Sequence, residues 1–224
     1  MCAPHPVRRL HKQWYPVPVR VSSVKTDQLA AFHRAVTGLP NPVQRDYLLL
    51  LFTGMRSGET AALRWDDVDF TLGVIRLPAT RTKAKRKLDL PMTDIVRELL
   101  DDRRSIGRDA SGFVFPANSE SGHIEEPKHP LKLVAKATGI VVTPHDLRRT
   151  YVTIAESTDI SFLALKALIN HSLGSDVTSD YAQITVERLR EPAQRVADRI
   201  KALCAVPPAP TAVNGAPQPA DVAE

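Results

Sequence analysis

The sequence lacks any apolar run long enough to cross a membrane. Its longest, from Tyr47 to Phe52, falls far short of the roughly 20 residues that a membrane helix needs. The opening residues, MCAPHPVRRLHK, have no apolar segment of the kind found in secretory signals. Two cysteines, Cys2 and Cys204, are too few for a disulfide framework or a zinc site. These absences predict a protein of the reducing cytosol with no membrane partner.

Acidic residues are outnumbered by basic ones, 25 to 30, which gives a net charge of +5. Two of the carboxylates, Asp221 and Glu224, follow the last basic residue, Lys201, so residues 1–201 carry +7. A basic body favours a polyanionic partner such as nucleic acid. Many unrelated proteins are equally basic, so charge alone does not decide the function.

Large apolar side chains are scarce at both ends of the chain. Residues 1–20 contain several prolines and basic residues, which predicts an extended basic arm or linker. Residues 207–224, PPAPTAVNGAPQPADVAE, cannot bury enough surface to offset the entropy of ordering and are predicted to be a disordered tail. The folded domain is therefore predicted to span residues 21–206.

Hydrophobic periodicity predicts an α+β fold, mostly helical with one small antiparallel sheet. Thr26 and Asn41 are expected to cap the first two helices, since both residue types accept hydrogen bonds at helix starts. Short alternating runs at 68–77 and 86–90 predict the strands, and Gly112–Phe115 is a candidate for another. Further helices are expected at 57–65, 93–104, 128–138, 145–156 and 161–170.

Four segments carry chemically suggestive side chains: TGMRSGE around Arg56, TKAK around Lys83, PHDLRRT with His145 and Arg148, and NHS followed by Tyr181. Each has an ordinary explanation when taken singly. An arginine after a helix often caps carbonyl groups, a lysine run is usually a solvated hairpin tip, and a lone tyrosine usually packs.

Together, these side chains meet the demands of displacement at a phosphodiester. Arg56 and Arg148 can each offer a planar, permanently charged fork to the phosphate oxygens. The departing alkoxide needs a proton, which Lys83 on a hairpin could donate. A tyrosine hydroxyl needs a neighbouring base to become a nucleophile near neutral pH. The candidates for that base are His145 and His171.

The order arginine, hairpin lysine, His-x-x-Arg, histidine and tyrosine resembles the catalytic domain of the tyrosine recombinase, or phage integrase, family over about residues 24–190. The resemblance implies that fold and assigns catalytic roles to Arg56, Lys83, His145, Arg148, His171 and Tyr181. It also implies that Glu59, three residues after Arg56, supports the site. The ten residues from His171 to Tyr181 are a spacing common among prophage-type integrases.

What the resemblance implies is site-specific strand exchange through a 3′-phosphotyrosyl intermediate, without metal, ATP or other cofactor, for integration or excision of a prophage or other mobile element. The implied partner is double-stranded DNA in the bacterial cytosol, associated with the nucleoid. The implied assembly is a tetramer on DNA and a monomer or weak dimer when free. Accessory DNA-bending or directionality proteins are possible partners.

Three alternatives remain open at this stage. A type IB topoisomerase uses similar cleavage chemistry without exchanging partners, although His145 favours a recombinase. A DNA-binding regulator could contain a helix-turn-helix between Ser161 and Tyr181, but it would leave the arginines and Lys83 unexplained. A metal nuclease could use Asp66, Asp67 and Asp69, although such a run is more often a solvated turn.

Two further features lie at the ends of the segment that resembles the family. Family members usually carry a further DNA-binding domain before the catalytic one, so the short front of this chain predicts a fragment of a longer integrase or a natural truncation. Near the other end, apolar residues from Val186 to Leu203 recur at spacings of three and four. They predict an amphipathic helix with a boundary or kink at Pro192. The helix could pack on its own domain, but we expect it to dock on a neighbouring protomer.

Overall fold

A computed structural model of the protein describes residues 23–107, 111–171 and 184–205. The predicted arm at 1–20 and the predicted tail at 207–224 lie outside this part of the chain. Within the described residues, no helix is long and apolar enough to cross a membrane.

Helices account for most of the described structure, as the sequence predicted. Short 3₁₀ turns precede or follow several of them, including Leu49–Phe52 and Trp65–Asp67. In chain order the α-helices are α1 Leu29–Thr37, α2 Pro42–Leu48, α3 Ser57–Ala61, α4 Asp94–Ser105, α5 Lys128–Thr138, α6 Pro144–Glu156, α7 Phe162–Leu168 and α8 Val186–Ala205.

The sheet is small and antiparallel, with the order β1 (Val68–Asp69), β2 (Val74–Leu77) and β3 (Leu88–Pro91). In β2 and β3, Ile75 lies opposite Leu90 and Leu77 lies opposite Leu88. All four of these side chains are buried. The connection from β2 to β3 contains Lys83, so the predicted lysine hairpin is confirmed.

Helix capping explains where several helices begin. The Asn41 side chain accepts hydrogen bonds from the backbone N–H groups of Val43 and Gln44, at 2.9 and 3.2 Å, with proline at the first helical position. Thr143 and Asp146 form a reciprocal capping box at the start of α6. These contacts fix the start of the helix that carries both His145 and Arg148.

Two local predictions were wrong. Thr26 is not a cap, because it lies inside a 3₁₀ turn whose N-cap position is Lys25. Gly112–Phe115 does not join the sheet. Phe113 instead makes an isolated antiparallel bridge with Arg64, which lies in the chain just after α3. The segment therefore pairs with a loop residue rather than with a strand.

The last helix, α8, packs on the domain to which it belongs. Its buried face contacts β3, α1, α6 and α7. Leu189 is 4% exposed, and Val196 and Ile200 are 0% exposed. The prediction that this apolar stripe docks on a neighbouring protomer was therefore wrong, because its own domain already covers it.

Pro192 also behaves differently from expectation. The helix begins at Val186 and continues through Pro192 to Ala205, rather than starting near the proline. A proline in a helix interior removes one backbone hydrogen bond and strains the preceding turn. Burial of the residues on both sides of Pro192, Leu189 and Ala193 among them, offsets that cost.

Candidate active site

Most of the site residues predicted from the sequence line one open cleft of about 650 Å³. They come from distant parts of the chain and from different elements: the start of α3, the β2–β3 connection, the first turns of α6 and the end of α7. The residues lining the cleft are Arg56, Lys83, Ala84, Arg86, His145, Arg148, Asn170 and His171.

Arg56 lies at the N-cap of α3, immediately after the turn at Thr53 and Gly54. Its guanidinium donates to Glu59 Oε1 at 3.1 Å and to the Asn170 carbonyl oxygen at 3.2 Å. Its backbone N–H donates to Glu59 Oε2 at 3.3 Å. Glu59 is 5% exposed, so a buried carboxylate orients Arg56 toward the cleft.

Glu59 also holds the loop that carries the lysine. Its Oε1 accepts a hydrogen bond from the backbone N–H of Lys83 at 3.2 Å. One carboxylate contacts both Arg56 and the main chain of Lys83.

The β2–β3 connection is more structured than a solvated hairpin tip. The Thr82 hydroxyl donates to the Arg86 carbonyl at 2.6 Å and accepts from the Arg86 N–H at 3.1 Å. Lys85 has a positive φ of 52°, which closes the turn. Lys83 is exposed within this turn and lines the cleft, whereas Lys85 is not among the lining residues.

Arg148 is held almost entirely below the surface, with 8% of the residue exposed. Its two terminal nitrogens donate to the carbonyl oxygens of Gly54 and Ile169, each at 2.6 Å. Burial lowers the pKa of Arg148 to about 10, and the nearby positive charge of Arg56 acts in the same direction. The guanidinium remains charged at neutral pH, so two cations face one cleft.

Gly54 is required at its position by both backbone and packing. Its φ is +65°, a conformation that glycine adopts without strain. A Cβ at Gly54 would lie 2.6 Å from a ring carbon of Tyr151. The absence of a side chain therefore lets the Gly54 carbonyl reach Arg148 while the Tyr151 ring packs against the turn.

His145 lies at the start of α6, one turn before Arg148 on the same helix. Desolvation lowers the pKa of His145 below its ordinary value of 6.5, and the charges of Arg149 and Arg148 lower it further. Asp146 opposes this shift. The neutral form of the imidazole, which can accept a proton or a hydrogen bond, therefore predominates at pH 7.

Asn170 is a cleft residue that the sequence reasoning did not assign. It precedes His171 at the end of α7, with a positive φ of 48°, and is 7% exposed. Its carbonyl accepts from Arg56, and its side-chain amide donates to the Arg86 carbonyl at 3.3 Å. The available signal was its position after a helix and before the histidine, where asparagine often ends a helix in the left-handed conformation.

Tyr181, the predicted nucleophile, lies outside the described residues. Of the four tyrosines in the chain, Tyr47 and Tyr151 are in the core, 0% and 2% exposed. Burial raises the pKa of Tyr47 to about 12 and also raises that of Tyr151. Both side chains are therefore withdrawn from solvent.

The acidic run Asp66–Asp69 has structural roles. Asp67 forms an ion pair with Arg81 and accepts a hydrogen bond from the Arg64 N–H at 2.9 Å. Asp69 accepts from the Leu72 N–H and from Arg76, both at 2.8 Å. Among the described residues, no group of three or more His, Cys, Asp or Glu side chains is arranged to bind a metal ion.

The model of the phage integrase family matches residues 24–188 of this sequence, the segment that contains every residue of the cleft. The chain belongs to the phage integrase family. The prophage integrase IntF of Escherichia coli strain K12 is 34% identical over 185 residues, which cover 78% of this chain and 39% of that protein. The chain thus spans well under half the length of this relative.

Solved structures of integrases and recombinases share the fold. The integrase from mycobacterium phage Brujita superposes with a TM-score of 0.58 at 20% identity, covering 87% of this chain and 66% of that one. The XerH site-specific recombinase bound to its difH substrate gives a TM-score of 0.55 at 15% identity, covering 71% and 49%. The predicted fold class, mostly helical with a small antiparallel sheet, is confirmed.

Proposed function

We propose that this integrase-family chain is the catalytic part of a site-specific DNA recombinase that integrates or excises a prophage or other mobile element. The observation that carries the proposal is the convergence of Arg56, Lys83, His145, Arg148 and His171 on one cleft. Such a cluster of permanent cations beside a neutral histidine suits a phosphodiester in displacement, where negative charge builds on the non-bridging oxygens.

In the proposed reaction, the Tyr181 hydroxyl oxygen attacks the scissile phosphorus. A tyrosyl oxygen–phosphorus bond forms as the bond from phosphorus to the 5′ oxygen breaks. The tyrosine proton passes to a histidine, and Lys83 donates a proton to the leaving 5′ oxygen. A second 5′-hydroxyl later reverses these steps, so that one phosphodiester is exchanged for another without ATP.

The cleft residues have different roles in the proposed reaction. Arg56 and Arg148 hold the phosphate, each with a guanidinium already fixed by backbone carbonyls or by Glu59. Fixed charges stabilise a transition state strongly because they need no reorganisation when the charge develops. His145 and His171 flank the phosphate site as proton acceptors or hydrogen-bond partners. No metal or nucleotide cofactor has a step in this scheme.

Tyr181 is proposed as the nucleophile on three grounds. It follows His171 by ten residues, it matches the family pattern, and Tyr47 and Tyr151 are buried. Ile184, three residues after Tyr181, lines a second cleft together with Arg86 and His171. His171 and Ile184, the described residues that flank this segment, therefore both border the second cleft.

Double-stranded DNA is the proposed partner, and a tetramer on DNA is the proposed assembly, with monomers or weak dimers free in the bacterial cytosol. The XerH recombinase was solved with its difH substrate bound, and this likeness within the family supports the DNA partner. Accessory DNA-bending or directionality proteins belong to the same proposal. A recombinase fits better than a topoisomerase, because the matched relatives are named as integrases and recombinases.

The decisive experiment traps the covalent intermediate. The chain is incubated with a nicked duplex that spans the junction between its genetic element and the flanking chromosome, and SDS-resistant protein–DNA adducts are counted. We expect adduct with the wild type, with Tyr15→Phe and in EDTA. Tyr181→Phe should form none while binding DNA nearly as well, because it removes the nucleophile and no charge.

Adduct formation by Tyr181→Phe would assign the nucleophile elsewhere. Loss of adduct in EDTA would point to metal-dependent cleavage. A cleaved DNA strand with no protein attached would contradict the phosphotyrosyl scheme altogether.

A further inference from the structure

Asn170 ends α7 with a backbone that few residue types adopt. The N–H of Asn170 donates to the Ala167 carbonyl at 3.0 Å, and the N–H of His171 donates to the Lys166 carbonyl at 2.9 Å. This pair of bonds is a Schellman motif, which needs its penultimate residue in the left-handed region. Asparagine and glycine fill that position at low cost. Glycine would complete the cap equally well, so the cap alone does not require the asparagine side chain.

The Asn170 side chain makes a contact that glycine cannot make. Its amide nitrogen donates to the Arg86 carbonyl at 3.3 Å, across 84 residues of sequence. The same carbonyl accepts the Thr82 hydroxyl at 2.6 Å. The amide therefore holds the closing end of the Lys83 turn, at the point where the chain enters β3.

The other end of the turn is held by Glu59, through the Lys83 N–H at 3.2 Å. Glu59 and Asn170 also both accept hydrogen bonds from the Arg56 guanidinium. Glu59 accepts through Oε1 at 3.1 Å, and Asn170 accepts through its backbone carbonyl at 3.2 Å. Two residues thus bracket the lysine turn from opposite ends while fixing the same arginine.

We propose that Asn170 is a positioning residue for proton transfer: its side-chain amide, bonded to the Arg86 carbonyl, fixes the Lys83 turn to the end of α7. This inference rests on the proposed function, in which Lys83 protonates the leaving 5′ oxygen. Lys83 is exposed on a short turn, so its reach into the cleft depends on where the turn is held. Removing the Asn170 amide does not change Lys83 itself. It removes the hydrogen bond that fixes the Lys83 turn to the end of α7.

The test compares Asn170→Gly with wild type on two nicked duplexes of the same junction sequence. One has an ordinary scissile phosphate, and the other has a bridging 5′-sulfur, whose leaving group needs no proton. Glycine keeps the left-handed cap, so folding should be retained, as thermal unfolding will check. We expect adduct formation on the ordinary duplex to slow about 10- to 100-fold, a part of the typical contribution of general acid catalysis. On the sulfur duplex it should return to within about 3-fold of wild type.

Two further variants keep the result interpretable. Lys83→Ala should show the same rescue and thereby validates the acid assignment. Asn41→Ala removes a capping asparagine far from the turn in sequence, so it should lower stability while leaving cleavage by the folded protein unchanged on both duplexes.

Each outcome decides one of the two ideas. Rescue of Lys83→Ala without rescue of Asn170→Gly would overturn the positioning role, as would wild-type cleavage of the ordinary duplex by Asn170→Gly. Failure to rescue Lys83→Ala would overturn the acid assignment, and with it the inference. An Asn170→Gly protein that unfolds at a much lower temperature than Asn41→Ala would assign Asn170 a structural role instead.

Discussion

Arg148 carries a full positive charge in a position where water reaches little of its side chain. Burying an unpartnered cation is costly, and the carbonyls of Gly54 and Ile169 reduce that cost by accepting its N–H groups. A guanidinium suits the position because it offers several N–H donors in one plane, whereas an ammonium group is a point charge. Lysine at position 148 would therefore not reproduce these contacts.

The lowered pKa of His145 predicts a specific pH profile. If neutral His145 accepts the tyrosine proton, its protonation should slow cleavage. The pKa of His145 lies below its ordinary value of 6.5, so the midpoint of the acid limb should also lie below 6.5. We expect the rate of adduct formation by the wild type to be level near pH 8 and to fall as the solution becomes acidic.

The matched variants are His145→Gln and His129→Gln. Loss of the titrating group should make the His145→Gln rate lower and independent of pH over the acid limb. His129 is exposed on α5 and does not line the cleft, so its variant should follow the wild-type profile. An acid limb that persists unchanged in His145→Gln would assign the titration to another group.

At the scale of elements, α8 shows how packing decides a helix's role. Its apolar stripe is covered by β3, α1, α6 and α7, while Arg190, Arg195 and Arg199 are exposed. The helix is therefore part of the domain's own core. Removing the chain after Thr185 should expose that core and yield an insoluble or unfolded protein.

A single substitution measures the same packing. Ile200 is 0% exposed, so Ile200→Ala should lower the free energy of unfolding by about 2–5 kcal/mol, the usual cost of truncating a buried aliphatic side chain. The measurement is urea unfolding followed by circular dichroism. The exposed neighbour Arg199 provides the control, since Arg199→Ala should stay within about 0.5 kcal/mol of wild type. Similar unfolding curves for both variants would contradict packing of α8 on its own domain.

At the scale of the whole molecule, the positive charge of residues 1–201 predicts how DNA binding responds to salt. Each phosphate neutralised contributes about −0.9 to the slope of log affinity against log salt. We expect about four to six phosphates to be contacted, which gives a slope of about −4 to −5. Fluorescence anisotropy with a labelled duplex, titrated across salt concentrations, gives this slope directly.

A pair of charge variants localises the contacts. Arg86 lines the cleft, so Arg86→Gln should make the slope shallower by about 0.9. Val186 lines the second cleft, beside the active-site cleft. Lys201 lies on the same helix, α8, about 22 Å from Val186 along the helix axis and therefore away from both clefts. Lys201→Gln should leave the slope unchanged. Equal effects of the two variants would mean that DNA is not bound at the cleft.

Most of the elements could be predicted from the sequence, because their signals are local. Asn41 followed by Pro42 marked a helix start through its own backbone contacts, and the alternating residues of β2 and β3 predicted the lysine hairpin. Five residues of the proposed site were also predictable, since Arg56, Lys83, His145, Arg148 and His171 keep the order and spacing of a known family and meet in one cleft.

The folded domain was needed to show what covers α8 and what holds the lysine turn. A stripe of apolar residues indicates that one face of a helix is buried. The spacing of those residues is the same whether the helix packs on its own domain or on another protomer. Likewise, the Asn170 amide and the Glu59 carboxylate act on atoms 84 and 24 residues away in the chain. Such contacts depend on how separate elements come together in space, which local patterns of residue type do not encode.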